Sequence, residues 1–394
     1  MPHSPNLERL SSSPQRSTEL HSPLSPQSPG STIYPDGVFT PLWFAKHQRQ
    51  VPALLIAFFE LSADEDSAQN EQIQIDINAI RTALGLSGFK TRIAAVLMSD
   101  RSILRAPELG DRLTAIRRAT TLDTKTGLFF MPPMSSQAEI ATYVQTMLTA
   151  LQPLAVEYYR DLTKHARRKK IRGGPAGTLT TPVDGGAHAL STPGWNARYE
   201  VKQGVFAEFR QEMDVAERHY SAALEELFGS DGILEATPSW SPRWDEARLL
   251  CDVVALRVLR CELWSDLTTS AVISWTNYKA RMRDLIDRRG KGTQTYSWHA
   301  WETRWAEIMA QLIQRAAIPA FRPALNRAND DSSDVAALAL YAPSEKTAVA
   351  TERLPPFHLL HHPGYWLRLA VGSARARWLV ALAIPEEDRT PPGQ

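Results

Sequence analysis

The chain has 394 residues, 43% of them hydrophobic and 22% charged, with a formal net charge of +1. That is room for two or three domains with a sizeable core, in the composition of a globular protein. The balanced charge argues against a dedicated nucleic-acid binder, no apolar run reaches the roughly 18 residues of a bilayer span, and the polar, proline-bearing start is not a secretory signal.

Residues 1–33 carry Ser-Pro pairs at Ser4, Ser13, Ser22, Ser25 and Ser28 and few large apolar side chains. Such a stretch cannot offset the entropy of ordering itself and is expected to be a disordered tail. Phosphorylation by proline-directed kinases would add roughly two negative charges per site there. Structure is expected to start near Val51. Residues 51–61, VPALLIAFFEL, have the length and composition of a buried parallel strand. Ile73, Ile77, Ile80 and Leu84 then recur at helical spacing, with Gly85 placed to end that helix in the left-handed conformation. Residues 91–98, TRIAAVLM, read as a second buried strand; Leu109, Leu113 and Ile116 mark a second helix; and residues 127–131 form a third strand closed by Pro132 and Pro133. This alternation predicts a small three-stranded parallel α/β layer over residues 42–134, incomplete as a doubly wound domain.

Ser136 followed by Glu139 is a capping box. It opens a connecting helix over 135–172, with Pro153 as an expected kink. The helix ends in Lys164, Arg167, Arg168, Lys169, Lys170 and Arg172. Positive charge suits a helix C-terminus, and it also fits contact with an anionic membrane surface or an acidic partner. Residues 173–195, rich in Gly, Thr and Pro, read as a flexible loop. Their Gly-Gly pairs lack the lysine-serine or lysine-threonine pair of a phosphate loop.

Residues 199–228, YEVKQGVFAEFRQEMDVAERHYSAALEELF, read as two helices folded back on each other, the first to about residue 210 and the second over 214–227. Gly204, Ala216, Tyr220 and Ala223 fall where a tetratricopeptide (TPR) unit wants small, small, bulky and small residues. The small residues let the backbones approach and the aromatic ring fills the gap. One unit cannot bury its own apolar face, so further helices must stack on it. They follow at 242–263, at 269–286, and along the stripe Trp298, Trp301, Trp305, Ile308 and Leu312, which reads as core. Residues 326–355 are loop-like with a short helix at 335–341, a last helix covers 364–383, and 385–394 form a polar tail. The expected fold class is thus α/β followed by all-α: the small layer leads into an irregular TPR-like helical solenoid over 196–384. Cys251 and Cys261 share one helix about 15 Å apart, too far for a disulfide, which points to a reducing cytosolic compartment.

Neither a Gly-x-Ser-x-Gly elbow, a Gly-x-Gly-x-x-Gly fingerprint nor a Cys-x-x-Cys pair is present. No catalytic residue, cofactor or metal is therefore expected. His358, His361 and His362 are close in sequence, but His362 precedes Pro363 and no carboxylate or cysteine stands at matching spacing. Glu60, Asp64, Glu65, Asp66 and Asp100 gather near two strand ends, where α/β folds bind ligands. They carry the alternative reading: a phosphoacceptor or nucleotide-binding α/β domain fused to a helical-repeat adaptor.

Several blocks in order carry a resemblance: AKHQRQVPALLIAFFEL from Ala45, TRIAAVLM, GLFFMPP, the 199–228 hairpin, SPRWDEARLLCDVVALRVLRCELW, YSWHAWETRWAEIMAQLI and HPGYWLRLA from His362. Together they span most of residues 42–383. They resemble the N-terminal part of the trafficking protein particle (TRAPP) complex subunit 11 family, which carries the foie gras domain. The resemblance implies a non-enzymatic cytoplasmic subunit of a tethering complex in endoplasmic reticulum to Golgi traffic and autophagy, peripheral to Golgi and intermediate membranes. Its implied partners are the other TRAPP subunits and, indirectly, a Rab-type GTPase whose nucleotide exchange site is formed by small subunits. Nucleic acid is not among them. The family also implies α/β sequence ahead of Ala45 and further domains beyond Gln394, so the chain reads as a fragment or a truncated form.

Overall fold

The computed structural model describes residues 33, 36–61, 67–99, 108–123, 125–134, 136–172, 190–316 and 362–385. Order begins ahead of the expected Val51. Helix α1 (Pro41–Ala45) starts where the Thr40 hydroxyl accepts from the Leu42 N–H at 3.3 Å, and it runs on into a π-helical turn, Lys46–Gln50. Val38 and Phe39 just before it are buried in the same core as the helices beyond residue 190. Arg198 donates to the carbonyl of Val38 at 2.8 Å, and Arg243 to that of Asp36 at 3.1 Å. Nothing in the local pattern of residues 36–50 announces a core more than 140 residues further on.

The α/β layer follows as β1 (Leu54–Leu61), α2 (Ser67–Leu86), β2 (Arg92–Ser99), α3 (Leu109–Thr120) and β3 (Leu128–Met131). The three strands are parallel in the order β1-β2-β3, with Leu54 opposite Arg92 and Ala95 opposite Leu128. Strand alternation divides β2 between two cores. Ala95 and Leu97 face Ile73 and Ile77 of α2 and Ile116 of α3, whereas Ala94 and Val96 face the opposite side. There they meet Met147 and Leu151 of α4 (Gln137–Ile171), whose first turn carries the Ser136–Glu139 capping box. Two local expectations are corrected. β1 is a sheet edge rather than a buried strand, so Phe58 is 56% exposed and, within β1, only Leu61 is buried. And α2 continues through Gly85; the left-handed residue is Gly88, at φ 72°.

α4 continues through Pro153 and carries the chain from the sheet to the helices. They are α5 (Thr192–Phe209), α6 (Met213–Phe228), the short α7 (Ile233–Ala236), α8 (Pro242–Trp264), α9 (Thr268–Arg288), α10 (Tyr296–Arg315) and α11 (Pro363–Leu382). α5 starts ahead of the expected loop end at Trp195, because the Ser191 hydroxyl caps it and Pro193 suits its first turn. α4 packs on α5, α5 on α6, α6 on α8, α8 on α9 and α10 on α11. One continuous core runs through α5, α6, α8, α9, α10 and α11. The expected short helix at 335–341 and the tails at 1–32 and 386–394 lie outside the described residues.

Candidate functional site

The hairpin of α5 and α6 is built around a missing side chain. A Cβ on Gly204 would lie 2.5 Å from Cε1 and 2.7 Å from Cδ1 of Tyr220, so the ring occupies the space that any other residue would need. Ala216, Tyr220 and Ala223 are all fully buried on the facing side of α6. The Tyr220 hydroxyl donates to Glu208 at 2.7 Å, and Arg257 and Arg260 of α8 reach the same carboxylate at 2.5 and 3.1 Å. Burial, with the neighbouring Glu208, drives the Tyr220 phenol well above its ordinary pKa and keeps it a donor. The Arg257 guanidinium also lies 4.7 Å from the Phe44 ring, which ties α1 to this network.

A second polar staple holds the later helices. Asp252 of α8 accepts from the Tyr278 hydroxyl of α9 at 2.6 Å and from the indoles of Trp301 and Trp305 of α10, each at 3.0 Å. Burial raises the Asp252 pKa, and these donors pull against it. The tryptophan stripe of α10 is accordingly core: Trp298 and Trp305 are buried, and Trp301 sits at the edge. Between α6, α8 and α9 lies a groove of about 200 Å³ lined by Phe228, Val258, Trp275 and Tyr278, with Glu225 and Arg281 paired at its rim.

The basic end of α4 divides into separate groups. Lys164 pairs with Asp161 at 3.2 Å. Lys170 pairs with the largely buried Glu200, which His219 also meets at 2.6 Å. Burial would raise the Glu200 pKa, but the bonds from His219 and Lys170 outweigh it and hold the carboxylate ionised. Arg168, Lys169 and Arg172 share a stripe with His165 at helical spacing, and Arg167 points to the opposite side of the helix. His165 and Lys169 of that stripe lie within electrostatic reach of Lys202 of α5, a half-buried lysine that the sequence pattern does not distinguish from a surface residue. The Lys202 ammonium lies 4.7 Å from the Tyr199 ring and 5.6 Å from that of Trp43. Desolvation first, then Arg198, Lys46 and Lys169, lower its pKa to about 7.

Of the acidic residues in the alternative reading, Asp64, Glu65, Asp66 and Asp100 lie outside the described residues. Glu60 is exposed near the end of the edge strand β1. Among the described residues no group of three His, Cys, Asp or Glu side chains is placed to hold a metal ion. His358 and His361 fall outside them; His362 caps α11, its Nδ1 accepting from the Gly364 N–H at 2.9 Å. Cys251 and Cys261 are both buried and free on α8, and burial raises both thiols, Cys261 to about 12. Raised thiols are poor nucleophiles. No described helix is long and apolar enough to cross a membrane.

Comparison with known proteins gives two family matches in this chain. The Trafficking protein particle complex subunit 11 N-terminal domain matches residues 2–140, and Foie gras liver health family 1 matches residues 243–394. Trafficking protein particle complex subunit 11 of Homo sapiens, of Bos taurus and of Gallus gallus is in each case 24% identical over 192 residues. That span is 48% of this chain and 15% of the length of each relative. With the first match over the parallel α/β layer and the second over the helices from α8 onward, the chain resembles the N-terminal region of trafficking protein particle complex subunit 11, foie gras domain included.

Proposed function

We propose that this chain is a non-catalytic scaffold subunit of a TRAPP-type vesicle-tethering complex in endoplasmic reticulum to Golgi transport and autophagy. The observation that carries this is the pair of family matches within one chain, over residues 2–140 and 243–394. The architecture supports it. Helices locked by two buried polar staples, around Glu208 and Asp252, form a platform with a groove between α6, α8 and α9. The functional unit on this reading is a TPR-like solenoid over residues 196–384, with Gly204, Ala216, Tyr220 and Ala223 setting the spacing of its first hairpin. It supports assembly and membrane attachment of a Rab guanine-nucleotide exchange complex whose exchange site belongs to other, small subunits, and it works at the cytoplasmic surface of Golgi and intermediate membranes. The test is affinity purification of the folded chain. Recovery of the small TRAPP core subunits is expected; a soluble, folded bait that recovers none of them overturns the reading.

A further inference from the structure

Basic side chains gather where three separate segments meet. The π-turn after α1 contributes Lys46, the last two turns of α4 contribute His165, Arg168, Lys169 and Arg172, and α5 contributes Lys202. The segments are held in register independently of these charges. The Trp195 indole of α5 donates to the carbonyl of Lys169 at 3.1 Å, the Trp195 and Tyr199 rings meet tilted with centroids 4.8 Å apart, and Trp43 of α1 and His47 of the turn pack on Phe206 of α5. Lys202 is thereby placed on a shelf formed by the Tyr199 and Trp43 rings. Among the described residues none of these six side chains makes an ion pair or a side-chain hydrogen bond. Every charged neighbour that acts on Lys202 or on His165 is itself positive.

A fold that collects like charges with no anion to offset them is poised to take one from outside. An acidic peptide spreads its carboxylates at about 3.3–3.6 Å per residue. Phosphate groups concentrate charge in compact oxyanions, which suits point-like ammonium groups gathered beside forked guanidinium groups. We propose that Lys46, His165, Arg168, Lys169, Arg172 and Lys202 form a binding site for a ligand bearing clustered phosphates, either a phosphoinositide headgroup in a membrane or a free inositol polyphosphate. The site stands apart from the scaffold reading, because it needs no other subunit.

The test is calorimetric titration of the full chain with inositol hexakisphosphate, alongside flotation with phosphatidylcholine vesicles carrying phosphatidylinositol bisphosphate or phosphatidylserine at matched charge. The wild-type chain binds the soluble probe, and Arg168→Gln with Lys169→Gln, both at exposed positions, weakens binding about tenfold or more. Lys202→Gln gives a similar loss in a chain whose melting temperature is retained. Lys164→Gln, which removes a lysine already paired with Asp161, and Arg167→Gln on the opposite side change it less than about twofold. Binding of the soluble probe together with a preference for bisphosphate vesicles assigns a lipid headgroup; binding of the soluble probe alone assigns a free polyphosphate. Three results overturn the proposal: no binding of the hexakisphosphate, equal loss from Arg167→Gln, or tighter binding of polyglutamate at matched charge, which would make the cluster a seat for an acidic protein segment.

Discussion

At the scale of single residues, the most constrained contact is Gly204 under Tyr220. An added methyl 2.5 Å from a fully buried ring must displace either the ring or α5. Overpacking of that kind costs about 1–3 kcal/mol, against a gain of roughly 1 kcal/mol from replacing a helical glycine by alanine. Gly204→Ala is therefore expected to lower stability by up to about 2 kcal/mol in urea denaturation, and a raised midpoint would mean that Tyr220 does not close on Gly204. The spacing of small and bulky residues made this contact legible in the sequence. His47 was not legible, because its surroundings come from α5. It is 8% exposed, its Nδ1 has no hydrogen-bond partner, and burial, with Lys46 and Lys202, lowers its pKa from 6.5 to about 4. Between those values the unfolded chain holds a proton that the folded chain does not, so stability must fall as pH drops from 6.5 towards 4. Going from pH 7 to pH 5 this one group should cost about 2 kcal/mol, in a range where ordinary carboxylates barely titrate. His47→Phe keeps the ring contacts with Trp43 and Phe206 and should flatten that slope; a variant losing as much stability as the parent between the two pH values would assign the slope to other groups.

At the scale of elements, periodicity found almost every long helix, because an amphipathic stripe is a local signal that packing then follows. The capping box placed the start of α4 at Gln137, and the stripes through Trp244, Trp275 and Trp298 placed α8, α9 and α10. The failures have physical reasons. An apolar run reads the same in a central strand and at an edge, so β1 looked buried, whereas the unbroken buried run, Ala94 to Leu97, belongs to the central strand β2. A glycine inside a helical pattern reads as a stop, yet Gly85 has open space around it and the helix passes through. The basic cluster was half visible, as a run of positive residues. What the run could not show is that helical geometry turns Arg167 away, that Lys164 and Lys170 are paired, and that Lys46 and Lys202 arrive from outside it. Charge runs report composition; which members act together is decided by the face each residue takes and by the elements packed opposite.

At the scale of the whole molecule, the two parts of the chain are not joined through α4 alone. Residues 36–50 come before the sheet in sequence but lie against the helical core, with Val38 fully buried and Phe39 packed edge-on to Trp43 and tilted against Phe44. Arg198, 5% exposed with a pKa lowered to about 10 by burial, depends on this arm, since its guanidinium donates to the carbonyls of Val38 and Gly37. Removing the arm would expose the apolar surface of α5 and α8 and take from Arg198 two acceptors it uses in the interior. Burial of side chains such as Val38 and Phe39 is worth about 1.5–3 kcal/mol each, and a buried donor left without its acceptor costs about 1–3 kcal/mol more. A chain beginning at Val51 should therefore unfold at least about 3 kcal/mol more easily than one that keeps the arm, with the loss read from the tryptophan fluorescence of α8, α9 and α10 in denaturant. A peptide of residues 36–50 added in trans should raise the melting temperature of that shortened chain with the logarithm of its concentration once above its dissociation constant, as a ligand of the native state does. If the shortened chain melts where the longer one does, the arm rests on the helices without stabilising them, and α4 must carry the coupling between sheet and helices by itself.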